Sequence, residues 1–358
     1  MSQIINLHHE DSAIKIYNLL SPEDDLIMEI FKEAVSKGYH TLVETIFENN
    51  LGDPNVDNLF GDAAKRGDTK IIKLFLNNIK LNPNLQDGFA FYWAIKNNHL
   101  DIVEMLVHDK RVDLSVRSNI FIQWASEHGY TEYVIMALAN DNVKPELNDN
   151  YSIKYAARNG HQKCVSLLME HEKVDPAANN NIPLRWAAYY GHYSVVLELL
   201  KSNKVDPYCG DNYVFFIACE FGFCDIFRLM LTYPNVNPSA NNNYALSWAC
   251  RNGNVDIVKI LLCCPTVDPE CDGGKALIIS ARMRKSEIVS MLALDERVNL
   301  NTDDSKAFKI AVTKGDVATV NIFLNSRRFK LNYDLINWMT TKGNDDIKKL
   351  VPIDSDIF

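Results

Sequence analysis

Residues 182–207 read IPLRWAAYYGHYSVVLELLKSNKVDP. Three signals follow one another in this stretch. Leu184, Trp186 and Ala187 form an apolar, aromatic and small block, and four residues after Ala187 comes Gly191. Glycine tolerates the left-handed geometry that ends a helix. Val195, Val196, Leu199 and Leu200 then fall at i, i+1, i+4 and i+5, the buried stripe of a second helix. Val205-Asp206-Pro207 closes the stretch. Proline keeps the chain extended and stops that helix from continuing.

Working outward, the pattern returns in both directions. The small residue recurs at Ala34, Ala63, Ala94, Ala125, Ala156, Ala187, Ala218, Ala249, Ser280, Ala311 and, less clearly, Met339, at intervals of 29, then eight times 31, then 28. Nine of the 15 glycines occupy the column four residues after these anchors; Asn98 and Arg284 fill the other two places. The positions 8, 9, 12 and 13 after each anchor are apolar in 39 of 40 places over the first ten units, Thr319 being the exception. Pro83, Pro145, Pro176, Pro207, Pro238 and Pro269 share a further column. Each is followed by a pair such as Asp87-Gly88, Asp149-Asn150, Asn180-Asn181 or Asn242-Asn243, residues suited to a two-residue hairpin turn. Such a period over most of the chain marks a repeat array. The expected fold class is all-α, a solenoid of about 11 helix-turn-helix units with short β-turn fingers.

These residues resemble the ankyrin repeat. Ile182-Pro183-Leu184-Arg185-Trp186-Ala187-Ala188 falls on the family's T-P-L-H-x-A-A stretch, and Gly191-His192, Val195-Val196, Leu199-Leu200 and Val205-Asp206 fall on its G-H, I-V, L-L and V-N positions. The unit departs from the family by its length of 31 residues rather than 33. It also lacks the Thr and His of T-P-L-H in every unit, which removes the side chains that link neighbouring fingers in the family. Aromatics stand nearby instead: Trp93, Trp124, Tyr155, Trp186 and Trp248 precede the anchor, and Phe89, Tyr151, Tyr213 and Tyr244 sit at the finger base. They read as inter-repeat packing. In style the array is also similar to those of amoebae and their large DNA viruses.

Composition agrees with a folded chain. Of 358 residues, 47% are apolar and 23% charged, which excludes wholesale disorder. No run of 18 apolar residues offers a membrane span, and the N-terminal sequence lacks the basic flank and apolar block of a secretory signal. The net charge of −9 argues against general affinity for nucleic acid or anionic membranes. Eight cysteines show no C-x-x-C pair and no zinc-finger spacing, so they read as reduced thiols. The expected setting is cytoplasmic, that of the host if the source is a virus.

The expected organisation is a capping segment over 1–21, an array over 22–352 and a tail over 353–358. Ser21-Pro22-Glu23-Asp24 reads as a helix start. Residues 10–20 suggest an extra helix over the exposed face, and the last unit is polar and stops at Pro352. Both ends read as caps, leaving no stretch for a catalytic domain. No phosphate-binding loop, nucleophile elbow or H-E-x-x-H motif occurs, and His99, His161 and His192 occupy one structural column. No enzyme activity, cofactor or metal site is expected.

Resemblance to ankyrin arrays implies binding through a concave groove lined by the fingers and the ends of the first helices. In this register the groove floor is the two residues before each turn position. Nine of these 22 are Lys or Arg and two are acidic, so the row carries +7 against −16 for the remainder. The candidate binding residues are Lys65, Arg66, Lys96, Arg158, Tyr189, Tyr190, Phe221, Arg251 and Arg282. The basic members also suit the negative ends of helix dipoles, whereas Tyr189, Tyr190 and Phe221 are interface residue types. Finger acids such as Asp87, Asp149 and Asp272 would put an acidic rim above the basic floor, which disfavours duplex DNA. The expected function is a non-enzymatic scaffold holding another protein in this groove. The alternative is a receptor for an anionic ligand, single-stranded nucleic acid or a phosphoinositide, read through the basic row.

Overall fold

The structure, a computed structural model, describes residues 9–22 and 26–351. Glu23, Asp24 and Pro352, named above as end signals, and the tail over 353–358 lie outside the described residues. The chain forms two compact units, Met1–Asp175 and Pro176–Phe358.

The first unit begins with a short helix, Glu10–Tyr17, followed by the pairs Leu26–Lys37 with His40–Glu48, Leu59–Arg66 with Thr69–Asn77, Leu85–Lys96 with Leu100–Val107, Val116–His128 with Thr131–Leu138, and Leu147–Arg158 with Gln162–Glu170. The second unit continues with Ala178–Tyr189 and Tyr193–Leu199, Cys209–Phe221 and Cys224–Leu231, Ala240–Asn252 and Val255–Cys263, Cys271–Arg282 and Ser286–Leu294, Thr302–Lys314 and Val317–Leu324, and Tyr333–Lys342 and Asp345–Lys348. From Leu85 to Tyr333 the first helices start every 31 residues. No strand occurs among the described residues.

The anchor column lies in the core. All eleven anchors, from Ala34 to Met339, are fully buried. A small side chain there lets the helices of neighbouring repeats approach closely. Ser280 fits because its hydroxyl donates to the Ala276 carbonyl at 2.7 Å. The residue five after the anchor donates its N–H back to the anchor carbonyl in ten repeats, as in His161 to Ala156 at 2.9 Å and His192 to Ala187 at 2.8 Å. That 6→1 bond needs a left-handed residue at the turn position. Ten of the eleven column members adopt it, Asn98 and Arg284 included. Gly343 does not, with φ −73° and ψ 150°, so the last pair is joined differently. At Gly129 the absent side chain has a second use: a Cβ would lie 2.5 Å from the His161 ring of the next repeat.

The fingers differ from the expected two-residue hairpin turns. Each array finger from Gln86-Asp87-Gly88 to Asp303-Asp304-Ser305 holds three successive left-handed residues, as in Asn148-Asp149-Asn150 and Asn241-Asn242-Asn243. Three such residues make one tight left-handed turn, which reverses the chain without strand pairing. Asn, Asp and Gly bear this conformation at least cost, which explains why they crowd the column.

Within each unit, side chains link neighbouring repeats. The third residue of the turn accepts a backbone N–H from the following finger: Asn119 from Lys144 at 2.8 Å, Asn150 from Asp175 at 2.7 Å, Asn181 from Asp206 at 2.8 Å and Asn243 from Asp268 at 3.2 Å. These bonds join neighbouring fingers in a chain that lacks the family's Thr and His. The carbonyls at the ends of the first helices are met from the next repeat by Asn97 and His99 on Lys65, Asn159 and His161 on Glu127, and Asn252 and Asn254 on Glu220. Arginines do the same for the second helices. Arg111 donates to the carbonyls of Leu76 and Asn78, Arg297 to those of Leu262 and Val267, and Arg328 to those of Ala293 and Asp295.

The helix Glu10–Tyr17 covers the front of the first pair. Its Glu10 carboxylate accepts the Leu42 N–H at 3.1 Å, Tyr17 accepts from Asn49 at 2.9 Å, and Ala13 is fully buried.

Candidate functional site

Every candidate residue stands at the end of a first helix, because the left-handed turn position fixes where that helix stops. Lys65 and Arg66 close Leu59–Arg66, Lys96 closes Leu85–Lys96 and Arg158 closes Leu147–Arg158, all in the first unit. Tyr189 and Tyr190 end Ala178–Tyr189, Phe221 ends Cys209–Phe221, and Arg251 and Arg282 occupy the same place in the next two repeats, all in the second unit. Arg158 is half-buried and the other eight are exposed.

Two shallow clefts, one in each unit, show that helix ends and fingers meet within their own unit. In the first unit a cleft of about 320 Å³ is lined by Lys96, Trp124, Glu127 and His128 from helix ends together with Tyr151 from a finger base. In the second unit a cleft of about 250 Å³ joins Trp248 and Arg251 to Asn241, Asn242 and Lys275 of the neighbouring turns.

The aromatics divide by position. Trp124 is buried and packs as expected. Trp93, Tyr155, Trp186 and Trp248 are half-buried, with part of each ring on the face. Finger-base rings lie over three of them one helical turn away: Phe89 on Trp93 with centroids 6.0 Å apart, Tyr151 on Tyr155 at 4.0 Å and Tyr244 on Trp248 at 5.6 Å. Tyr151 also donates its hydroxyl to Glu127 at 2.8 Å. Burial first, and that hydrogen bond second, push its pKa well above the ordinary phenol value.

Part of the basic row is engaged within the protein. Lys65 lies over Trp93 at 4.3 Å, Arg158 over Tyr155 at 5.7 Å and Arg251 over Trp248 at 5.1 Å. Arg66 donates to the Val35 carbonyl at 2.6 Å, which serves the negative end of the preceding first helix. Counting charges in the row missed two further cation–ring pairs on the face, Arg117 over Tyr92 and Arg185 over Tyr213, both at 4.7 Å. Their signal in the sequence is an arginine 25 or 28 residues from an aromatic, a little under one repeat.

Tyr189, Tyr190 and Phe221 come together as one cluster. Tyr189 meets Tyr190 at 5.1 Å and Phe221 at 5.3 Å, both edge-to-face, and Phe221 stacks on Phe223 at 5.8 Å. The three are 43, 44 and 45% exposed. Among the described residues, no group of three or more His, Cys, Asp or Glu side chains could hold a metal ion. Burial holds Cys209 at about 11 and Cys250 at about 12, and pushes Cys219 well above the thiol range, so these sulfurs remain protonated. No helix among the described residues is long and apolar enough to cross a membrane.

Comparison with known proteins follows the same register. The family model for ankyrin repeats in three copies matches residues 31–118, 122–211, 184–272 and 215–304. No curated protein matches the sequence. Among solved structures, the human ASB11 ankyrin repeat domain is 21% identical, with a TM-score of 0.47, over 57% of this chain and 96% of that domain. With matches spanning more than half of its length and helix pairs set on a 31-residue period, the chain belongs to the ankyrin-repeat family.

Proposed function

We propose that the chain is a non-enzymatic scaffold that holds a partner protein against the face formed by first-helix ends and fingers. Ankyrin repeats are protein-interaction modules in general. The observation that carries the finer reading is the cluster of Tyr189, Tyr190 and Phe221, left more than two-fifths exposed while the anchor three or two residues earlier is fully buried. Nothing in the stacking of repeats requires three rings there, and large aromatics dominate interface energetics. The proposed setting is the cytoplasm, supported by eight free thiols.

The test places a photo-crosslinking residue at Lys96, Tyr190 or Arg282 and, as controls, at Lys163 and Lys259 on second helices. The reading expects a discrete adduct from the first set alone, abolished by Ala at Tyr189, Tyr190 and Phe221 together. Equal adducts from both sets would overturn it. The cations lying over half-exposed rings support a second reading, a single-stranded nucleic acid stacked on those rings. That reading demands affinity falling steeply with salt.

A further inference from the structure

We infer that the partner segment of the second unit is an extended acidic stretch of about a dozen residues headed by one large apolar side chain. This rests on the interaction reading above and adds the partner's chemistry. Among the described residues of this unit, Tyr189, Tyr190 and Phe221, with Phe223 beside them, are the part of the row rich in aromatic surface, and they stand at one end. Beyond Phe221 the row reads Arg251-Asn252, Arg282-Met283, Thr313-Lys314 and Thr341-Lys342, all exposed, with four cations and no acid.

The finger acids do not cancel these charges. Asp272 is paired with Lys275 at 2.8 Å, Asp303 with Lys306 and Asp304 with Lys309. Each negative finger beyond Phe221 therefore carries its own counter-ion, and the floor there keeps a positive field. Arg251 lies over the Trp248 ring, which holds the guanidinium in place and leaves its edge donors for a carboxylate. The adjoining cleft of about 250 Å³, with Tyr244 and Lys275 on its walls, is wide enough for one side chain. Rows in successive repeats lie about 10 Å apart. The four steps from Phe221 to Lys342 therefore span about 40 Å, which an extended chain covers in about 12 residues at ~3.3 Å each. An apolar head seats on the rings and acids alternate with small residues along the arginines and lysines.

The experiment uses the full chain and fluorescein-labelled 14-residue synthetic peptides, followed by fluorescence anisotropy. One peptide carries Leu-Trp ahead of alternating Glu and Gly, and a second has the reverse order. In a third Gln replaces Glu, and in a fourth Ser replaces the apolar pair. A 14-nucleotide oligo-dT strand is the competing probe. The inference expects one orientation of the complete peptide to bind, with loss of about tenfold or more when either half is removed. Arg282→Glu with Lys314→Glu should reproduce the Gln result, and Tyr189→Ala with Phe221→Ala the Ser result. Lys163→Glu, on a second helix of the first unit, should change nothing. The milder Arg282→Gln with Lys314→Gln, with an unchanged melting temperature, guards against a folding defect. Binding insensitive to the second-unit charge changes, or oligo-dT bound more tightly than every peptide, overturns the inference. If crosslinks to a partner persist from first-helix ends while no acidic peptide binds, this inference falls and the interaction reading stands. If the crosslinks themselves are lost, it is the interaction reading that falls.

Discussion

At the scale of single residues, asparagine does more than turn the chain. Asn181 and Asn243 are 6% exposed, left-handed, and accept a backbone N–H from the next finger. Replacing Asn181 by Gly keeps the backbone geometry and removes only the acceptor, leaving the Asp206 N–H unmet. The expected loss is about 1–3 kcal/mol in chemical unfolding. Asn180→Gly, in the same turn but exposed, should be neutral or slightly stabilising. Equal effects at the two positions would refute the acceptor role. Thiols give a second check. Cys250 is held at about 12 by burial, against an ordinary value near 9. Between those values the unfolded chain has lost a proton that the folded chain keeps, so folding stability declines as pH rises from 9 towards 12. Cys250→Ala should flatten that decline in denaturant titrations. Thiol labelling of the native protein should reach exposed Cys263 first and fully buried Cys219 and Cys250 last.

At the scale of helices and turns, much was legible from the columns. The anchors, the helix pairs and the turn position follow from a pattern repeated eight times at one spacing, and a buried small residue is what that pattern means physically. Three features were not legible. The length of the left-handed turn exceeded the pair read from sequence, because its first position admits Gln86 and Arg117, residues that do not advertise positive φ. Gly343 shares the column but not the geometry. The arginine fork was hidden because Arg111, Arg297 and Arg328 look like ordinary loop cations until the chain brings helix ends from the preceding repeat beside them. Arg111→Lys tests that fork. A lysine keeps the charge but cannot meet the Leu76 and Asn78 carbonyls and the Asp109 carboxylate together, so about 1.5–3 kcal/mol should be lost despite charge retention. Hydrogen bonding to Arg111 and Arg297 holds Asp109 and Asp295 below the usual carboxylate range. The stability they add is present above the ordinary value of 3.8 and is lost as pH falls through their lowered values. Arg111→Lys should therefore also weaken the acid dependence of unfolding.

At the scale of the molecule, stability is a sum over repeats and their contacts with neighbours. Every side-chain link described above reaches only the adjacent repeat. Removing residues 240–270 joins Ser239 to Cys271 with all columns in register. That variant should keep a cooperative helical transition by circular dichroism, with a smaller denaturant dependence because less surface is exposed on unfolding. Removing 240–268 instead takes two residues fewer and breaks the register of the second unit, and should unfold part of it. That helix ends and fingers lie side by side followed from the column positions. Which of the cations there are engaged by rings did not, since cation–ring pairs such as Lys65 with Trp93 join residues almost a full repeat apart.

The nearest-neighbour reach of the asparagine, histidine and arginine links has a consequence for inheritance. A recombination event that copies or excises one in-frame module of the gene disturbs only the donors and acceptors at its two new borders, so lineages can lengthen or shorten the protein with the polar links elsewhere left as they were.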